Sequence, residues 1–248
     1  MKKGKVDLFT NSMVRKVTTN DQGKATGVSF VSKEDMKEYK LKSRVVVLGA
    51  SACETSRIML NSKSKSHPDG IGNSSGVLGH YLHDSTGASR SGIVPSLMGR
   101  ERYNEDGVGG MHMYTPWWGD NKKLDFARGY HIEYGGGMGQ PGYGAGSGME
   151  SMRKYIIDEF GKPSPNGGYG EGLKKDIHQL YGASIGMAGR GESVPRLDNY
   201  CEIDPDVVDK YGIPVLRFHY KWTDQEILQA KHMQNTFEEI LTNAGAIP

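Results

Sequence analysis

Two glycine-containing stretches in this sequence have residue types and spacing that could hold a nucleotide. In the first, Gly137, Gly139 and Gly142 spell G-x-G-x-x-G, a pattern that presents backbone N–H groups and a helix N-terminus to a pyrophosphate. The pattern needs a helix that starts at its last glycine, but Pro141 precedes that glycine and YGAGSG follows it. We therefore interpret residues 134–148 as a loop that shapes a ligand cleft.

The second stretch, VVVLGASACETSR, is the better candidate for a cofactor site. An apolar run ends in Gly49, Ala50 and Ser51 just before a helical pattern begins. Small residues let a ligand approach the backbone closely, and the helix would point its positive end at that ligand. An ordinary tight turn between a strand and a helix would have the same pattern, so the residues alone leave both interpretations open.

Other residues with catalytic or metal-binding chemistry form no recognisable arrangement. The eight histidines have no metal-ligand spacing, and we interpret each of them as structural or exposed. The sequence contains neither a G-x-S-x-G nucleophile elbow nor a P-loop lysine motif. Cys53 and Cys201 are too few for a disulfide framework, and one bridge or two free thiols are equally open. We predict no metal site, and hydrolase and phosphotransferase activities have no support.

Charge and hydropathy exclude two classes of partner. The 31 basic and 29 acidic residues give a net charge of only +2, so the chain has no basic footprint for nucleic acid or for a membrane surface. No apolar run approaches the roughly 20 residues that cross a bilayer. We expect a soluble protein, with the cytoplasm and the periplasm both open as its compartment.

The elements that must position these residues begin with a run of strand patterns. Residues 6–10 and three further segments before residue 44 are rich in β-branched and aromatic residues and are separated by polar turns, which predicts a β-meander. Residues 44–49, RVVVLG, are continuously apolar, which is typical of a strand buried on both faces in a parallel sheet. A short helix should follow this strand.

The second half of the sequence predicts an antiparallel sheet with helices. Residues 63–92 are rich in Ser, Gly, Asn and His, and this change in composition marks a domain boundary. We predict domains over residues 1–84 and 85–248. Helical spacing indicates one helix over 149–160, and a Thr223–Glu226 capping box indicates another over 223–244.

The segments VVVLGASACETSRIMLNSKS and GNSSGVLGHYLHDST resemble the FAD-dependent glucose-methanol-choline (GMC) oxidoreductases, particularly the bacterial members that act on sugars and polyols. Upstream, LFTNSMVRKVTTNDQGKATGVSFVS is similar to the same family's strand and hairpin segment. Lys63 and Ser64 depart from the Ser-Gly pair that usually closes the family's second signature. The positions that match this signature in order are Ser51, Ala52, Thr55, Ser56, Met59 and Leu60.

This resemblance implies a fold and a cofactor. The fold combines α/β and α+β classes: part of a Rossmann-like FAD-binding domain with a β-meander, and a substrate domain of antiparallel sheet with helices. The backbone of Val14 would contact the adenine end of FAD. The residues expected on the pyrophosphate side of FAD are Gly49, Ala50, Ser51 and Glu54.

The resemblance also implies an activity, the oxidation of an alcohol group of a small-molecule sugar or polyol by hydride transfer to flavin. On the substrate side we expect His112, Trp117, Trp118 and His131. The family's glycine-rich Rossmann strand would precede residue 1 and its catalytic His would follow Pro248. We therefore expect an internal piece that holds no catalytic residue, is inactive alone, and is completed by the same protein or by a partner chain.

A competing interpretation assigns the chain no redox chemistry. In a carbohydrate-binding or assembly subunit, the Gly-rich and aromatic loops would bind a glycan directly. Such a subunit would bind glycan without flavin, which distinguishes it from an oxidoreductase.

Overall fold

The computed structural model describes two compact units. Its described residues are 4, 6–100, 113–117, 123–136, 170, 171, 174, 178 and 182–247. Unit 1 comprises Met1–His83 and Pro195–Lys221, and unit 2 comprises Asp84–Val194 and Trp222–Pro248. The predicted combination of α/β and α+β features is confirmed, since the strands form antiparallel sheets accompanied by few helices.

Unit 1 begins with the predicted β-meander. Strands β1 (Ser12–Thr19), β2 (Ala25–Ser32) and β3 (Glu38–Lys42) form an antiparallel sheet in the order β1-β2-β3. The register between β1 and β2 shifts between Val14 and Lys16, which makes a β-bulge at this point of β1. Because a bulge interrupts the ladder, it changes the direction of the backbone next to Val14.

Helix α1 (Ser51–Asn61) follows the meander and is held against β1. Ile58 and Leu60 are its buried apolar side chains. Just after the helix, the Ser62 hydroxyl accepts a 2.8 Å hydrogen bond from the backbone N–H of Val17. Ser62 is fully buried, so this bond fixes the C-terminal end of α1 on the sheet.

A hairpin from late in the chain completes unit 1. Strands β8 (Tyr200–Val208) and β9 (Pro214–His219) pair with each other. Arg57 and Asn61 of α1 both donate to the carbonyl of Pro214. Our sequence-based boundaries assign this hairpin to the domain at 85–248, whereas the structure packs it with residues 1–83. These contacts join residues more than 150 positions apart, so no local pattern predicts them.

The predicted buried strand at residues 44–49 is wrong for this structure. These residues have no regular secondary structure and form no ladder with any described residue, and Val45 and Val47 are 72% and 87% exposed. The segment predicted as a strand at residues 6–10 is irregular as well, with Phe9 exposed. A continuous apolar run becomes a central strand only when neighbouring strands pair with it on both sides. The described part of the chain provides no such strands.

Unit 2 contains the predicted antiparallel sheet. Its strands are β4 (Ser85–Ile93), β5 (Met113–Trp117), β6 (Tyr130–Gly136) and β7 (Ser184–Glu192), in the order β4-β7-β6-β5. A short 3-10 helix, Pro95–Leu97, follows β4. The G-x-G-x-x-G sequence and the helix predicted at 149–160 lie outside the described residues.

Helix α2 (Asp224–Asn243) covers one face of this sheet. The predicted capping box is present, with Thr223 at the N-cap and Glu226 at the third helical position. The core between helix and sheet consists mainly of Tyr130, Ile132, Met187, Met233, Phe237 and Leu241, all buried. Gly189 and Gly191 of β7 let the helix approach, because a Cβ on Gly189 would lie 2.5 Å from the Met233 sulfur.

Candidate functional site

The turn before α1 is an open helix N-terminus. Ala50 occupies the N-cap position, and the structure shows no side-chain hydrogen bond from it to the first turn. The first N–H groups of a helix have no partner within the helix, and they carry the positive end of its dipole. A Cβ placed on Gly49 would meet no atom within 4 Å, so the approach to this turn is open. Gly49, Ala50 and Ser51 are all exposed.

Glu54 is held beside this turn by Arg57. The Glu54 carboxylate is 3.3 Å from the guanidinium of Arg57, and its side chain is 48% exposed. Glu54 is also the acidic residue of the first helical turn. The carboxylate can therefore accept hydrogen bonds from a ligand while it stays fixed to the helix.

These residues fit the phosphate and ribose portion of a dinucleotide such as FAD. An N-cap without a side-chain oxygen leaves the backbone N–H groups to an anion, and the small residues keep its approach clear. A carboxylate next to the anion site is suited to ribose hydroxyls. The residue types and the open turn are thus compatible with the cofactor that the resemblance implied.

Val14 lies in the same unit, on β1. It is paired with Phe30 of β2 and lies beside the β-bulge. The hydrogen bond from the Val17 N–H to Ser62 joins β1 to the far end of α1. The contact of Val14 with adenine stays a prediction.

Of the predicted substrate-side residues, His131 is the one whose side chain the structure describes. It lies on β6 and is paired with Arg190 of β7. His112 and Trp118 lie outside the described residues. Trp117 ends β5, where its backbone pairs with Tyr130, but its side chain lies outside the described part of the chain.

The structure places charged and aromatic residues around His131 that our sequence analysis missed. The imidazole Nε2 of His131 is 3.2 Å from the Glu133 carboxylate, whose other oxygen is 3.6 Å from Arg190. The Tyr114 ring lies 5.6 Å from the His131 ring, centroid to centroid. Alternation along a strand could have put His131 and Glu133 on one face. Arg190 and Tyr114 come from other strands, and only the sheet register brings them there.

The described residues contain neither a membrane-spanning helix nor a cluster of metal ligands. No helix there is long and apolar enough to cross a membrane. No group of three or more His, Cys, Asp or Glu side chains in the described ranges is arranged to hold a metal ion.

The family model for GMC oxidoreductase matches residues 1–86. The chain is also 26% identical over 243 residues to the 2-methyl-1,2-propanediol dehydrogenase of Mycolicibacterium austroafricanum. This alignment covers 97% of this chain and 41% of that protein. It is 30% identical over 82 residues to the gluconate 2-dehydrogenase flavoprotein of Pantoea cypripedii, covering 32% of this chain and 13% of that protein.

The matched family segment contains the turn before α1 and the meander that precedes it. The chain spans about two fifths of the length of the first relative, 41%. Both relatives are named as dehydrogenases, and one is named as a flavoprotein. The resemblance first indicated by the residues around Ser51 is therefore confirmed, and it is to the GMC oxidoreductases, whose family model matches residues 1–86.

Proposed function

We propose that this chain forms part of an FAD-dependent oxidoreductase that oxidises an alcohol group of a sugar or polyol. Unit 1 supplies the adenine and pyrophosphate side of the FAD site, and unit 2 supplies part of the substrate side. The match of residues 1–86 to the GMC oxidoreductase family model and the names of the two relatives support the reaction class.

The observation that carries the FAD assignment is the open N-terminus of α1. Most helices place Ser, Thr, Asp or Asn at the N-cap, whose side chain satisfies a backbone N–H group. Here the N-cap is Ala50, and the residue before it is Gly49 with open space around it. The turn therefore keeps its N–H groups available to an anionic ligand, and a diphosphate matches that requirement.

In the proposed mechanism, FAD when bound supplies the acceptor for the hydride that leaves the alcohol carbon. Backbone N–H groups at Ser51 and the following residues hold the diphosphate. The Glu54 carboxylate, fixed by Arg57, accepts hydrogen bonds from ribose hydroxyls, and the Val14 backbone contacts adenine. Side chains around His131 bind and orient the hydroxyl groups of the substrate.

The general base is not among the residues we assign in this chain. In our proposal it comes from another segment of the complete protein or from a partner chain, which also completes the FAD site. The relative with 97% coverage of this chain is more than twice as long as the aligned part, which supports this division of roles. The 248-residue chain by itself should then be inactive.

The test is to express the complete reading frame that contains this chain and to measure flavin absorbance in the purified protein. We expect bound flavin that loses its visible absorbance when a polyol is added without an electron acceptor. A colourless, folded protein would contradict the proposal. Glycan binding by that colourless protein would instead support a carbohydrate-binding subunit.

A matched pair of variants tests the site itself. Ala50→Asp should cap α1 and repel the diphosphate, so the helix keeps its stability while flavin content falls about tenfold or more. Ala50→Asn caps the helix without a charge and should reduce flavin content less. Equal flavin content in both variants and the wild type would exclude a diphosphate at this turn.

A further inference from the structure

The sheet of unit 2 has two chemically different faces. Strand alternation places Tyr130, Ile132 and Met187 under α2, where they are buried. Their neighbours along the strands lie on the opposite face, which we call the open face. The described side chains that define the open face are Ser89, Tyr114, His131, Glu133, Ala188 and Arg190.

The register sets these residues in two adjacent rows. Glu133 has Tyr114 on one side and Ala188 on the other, and Ala188 is paired with Ser89. In the next row, His131 is paired with Arg190, which in turn is paired with Gly87. The rows bring together an aromatic ring, a carboxylate, an imidazole, a guanidinium and a hydroxyl.

Among the described residues, Glu133 is the centre of the charged groups on the open face. Its carboxylate lies 3.6 Å from Arg190 and accepts a hydrogen bond from His131 in the tautomer that carries the proton on Nε2. The Glu133 side chain is only 19% exposed, whereas that of Arg190 is 56% exposed. A ligand with its own negative charge would have to compete with Glu133 for Arg190. A neutral ligand with several hydroxyl groups can donate to Glu133 and accept from Arg190 together.

Beside these groups the open face is built from small residues. Gly87 and Ser89 of β4 are exposed, and a Cβ on Gly87 would meet its nearest atom, the Gly189 carbonyl oxygen, at 3.4 Å. Tyr114 is 55% exposed, so its ring can pack against the C–H groups of a polyol. As far as the described residues go, small neighbours and an exposed ring leave room for a ligand beside the charged group.

We propose that the open face binds a neutral polyhydroxyl ligand, with Glu133 and Arg190 as the residues that select it over a carboxylate. Glu133 accepts hydrogen bonds from the hydroxyl groups of the ligand and keeps Arg190 neutralised. The identification of this ligand as the substrate rests on the function proposed above. Binding to the open face itself needs no flavin, so it can be measured independently.

The test is an NMR titration of the 248-residue chain with 1,2-propanediol and with lactate, which share a carbon skeleton and differ in charge. We expect saturable shifts at Tyr114 and His131 with the diol, and at least about tenfold weaker binding of lactate. Glu133→Gln should reverse this order, because Arg190 is then free to pair with the carboxylate. Adding Arg190→Gln to that variant should abolish the gain in lactate binding.

The matched control is Glu238→Gln. Glu238 forms a comparable ion pair with Arg90, at 3.1 Å, but on the α2 side of the sheet, so its loss should change neither ligand's affinity. The proposal is overturned if Glu133→Gln, folded by its NMR spectrum, leaves the ratio of diol to lactate affinity unchanged. It is also overturned if the diol shifts residues elsewhere and not on the open face. Diol binding by a protein without flavin would keep this proposal and reject the redox function.

Discussion

Arg57 of α1 donates a 2.7 Å hydrogen bond to Asp209, a residue 152 positions later in the chain. The guanidinium also donates to the carbonyls of Ile213 and Pro214, and its side chain is only 9% exposed. Burial of Asp209 acts to raise its pKa, but the hydrogen bonds from Arg57 and from backbone N–H groups outweigh it and lower the pKa. A buried cation that donates several hydrogen bonds therefore fixes the helix that carries the proposed FAD turn.

Replacing Arg57 with Met should destabilise unit 1. Removing one partner of a buried ion pair leaves the other uncompensated, which costs about 3 kcal/mol. Urea unfolding followed by circular dichroism measures the loss. Arg15→Met is the control, because Arg15 pairs with Glu38 at an exposed site and its removal should cost less than about 1 kcal/mol. Equal effects of the two substitutions would show that the Arg57 network does not hold the hairpin.

The capping box predicts an acid-sensitive contribution to the stability of unit 2. Burial of Glu226 acts to raise its pKa, but hydrogen bonds from Thr223 and Val194 outweigh it and lower the pKa. A lowered folded-state pKa means that the ionised carboxylate stabilises the fold above its unfolded pKa, about 4.3. This contribution is lost as the pH falls through the folded-state pKa.

Glu226→Gln should therefore lower the free energy of unfolding near neutral pH by about 1 kcal/mol and flatten its dependence on acid pH. Urea unfolding as a function of pH measures both effects. Glu239→Gln, at an exposed position on the same helix, is the control. Its free energy of unfolding should depend on pH in the same way as that of the wild type. If the free energy of unfolding of Glu226→Gln fell as steeply at acid pH as that of the wild type, this result would count against a role of the capping box.

Close packing of α2 on β7 depends on Gly191. A Cβ at this position would overlap the side-chain oxygen of Gln229, which is itself buried. We expect Gly191→Ala to cost about 1–3 kcal/mol through overpacking. Gly186→Ala is the matched control on the same strand, since its Cβ would meet no atom closer than 3.9 Å. In thermal unfolding, Gly191→Ala should have a lower melting temperature than Gly186→Ala. Similar melting temperatures would contradict a role of Gly191 in the close packing of α2 on β7.

The two thiols should differ in reactivity. Both are free in the structure, and burial together with the neighbouring Cys53 raises the pKa of Cys201. Because the thiolate is the reactive form, iodoacetamide should modify the half-buried Cys53 about tenfold faster than the buried Cys201. Mass spectrometry of time points assigns each site, and Cys53→Ser should remove the fast phase. Faster labelling at Cys201 would show that its pocket opens in solution.

Local sequence patterns were sufficient for the elements that depend on neighbouring residues. The β-branched and aromatic residues of ATGVSFVS predicted a strand, and the structure has β2 at Ala25–Ser32. The Thr223–Glu226 capping box predicted the start of α2, because both partners lie within one helical turn. The small residues around Ser51 predicted the turn before α1 and the family whose model matches residues 1–86.

Tertiary structure alone decided which distant residues meet. The sequence predicted a buried strand at residues 44–49, but burial requires partner strands, and Val47 is exposed in the described structure. The sequence did not predict the role of Arg57, because its acceptors lie on a hairpin that is distant in sequence and packs in unit 1. Glu133 and Arg190 likewise meet only through the pairing of β6 with β7. Propensity and capping act within a few residues, whereas burial, ion pairing and strand register depend on contacts that only the folded chain creates.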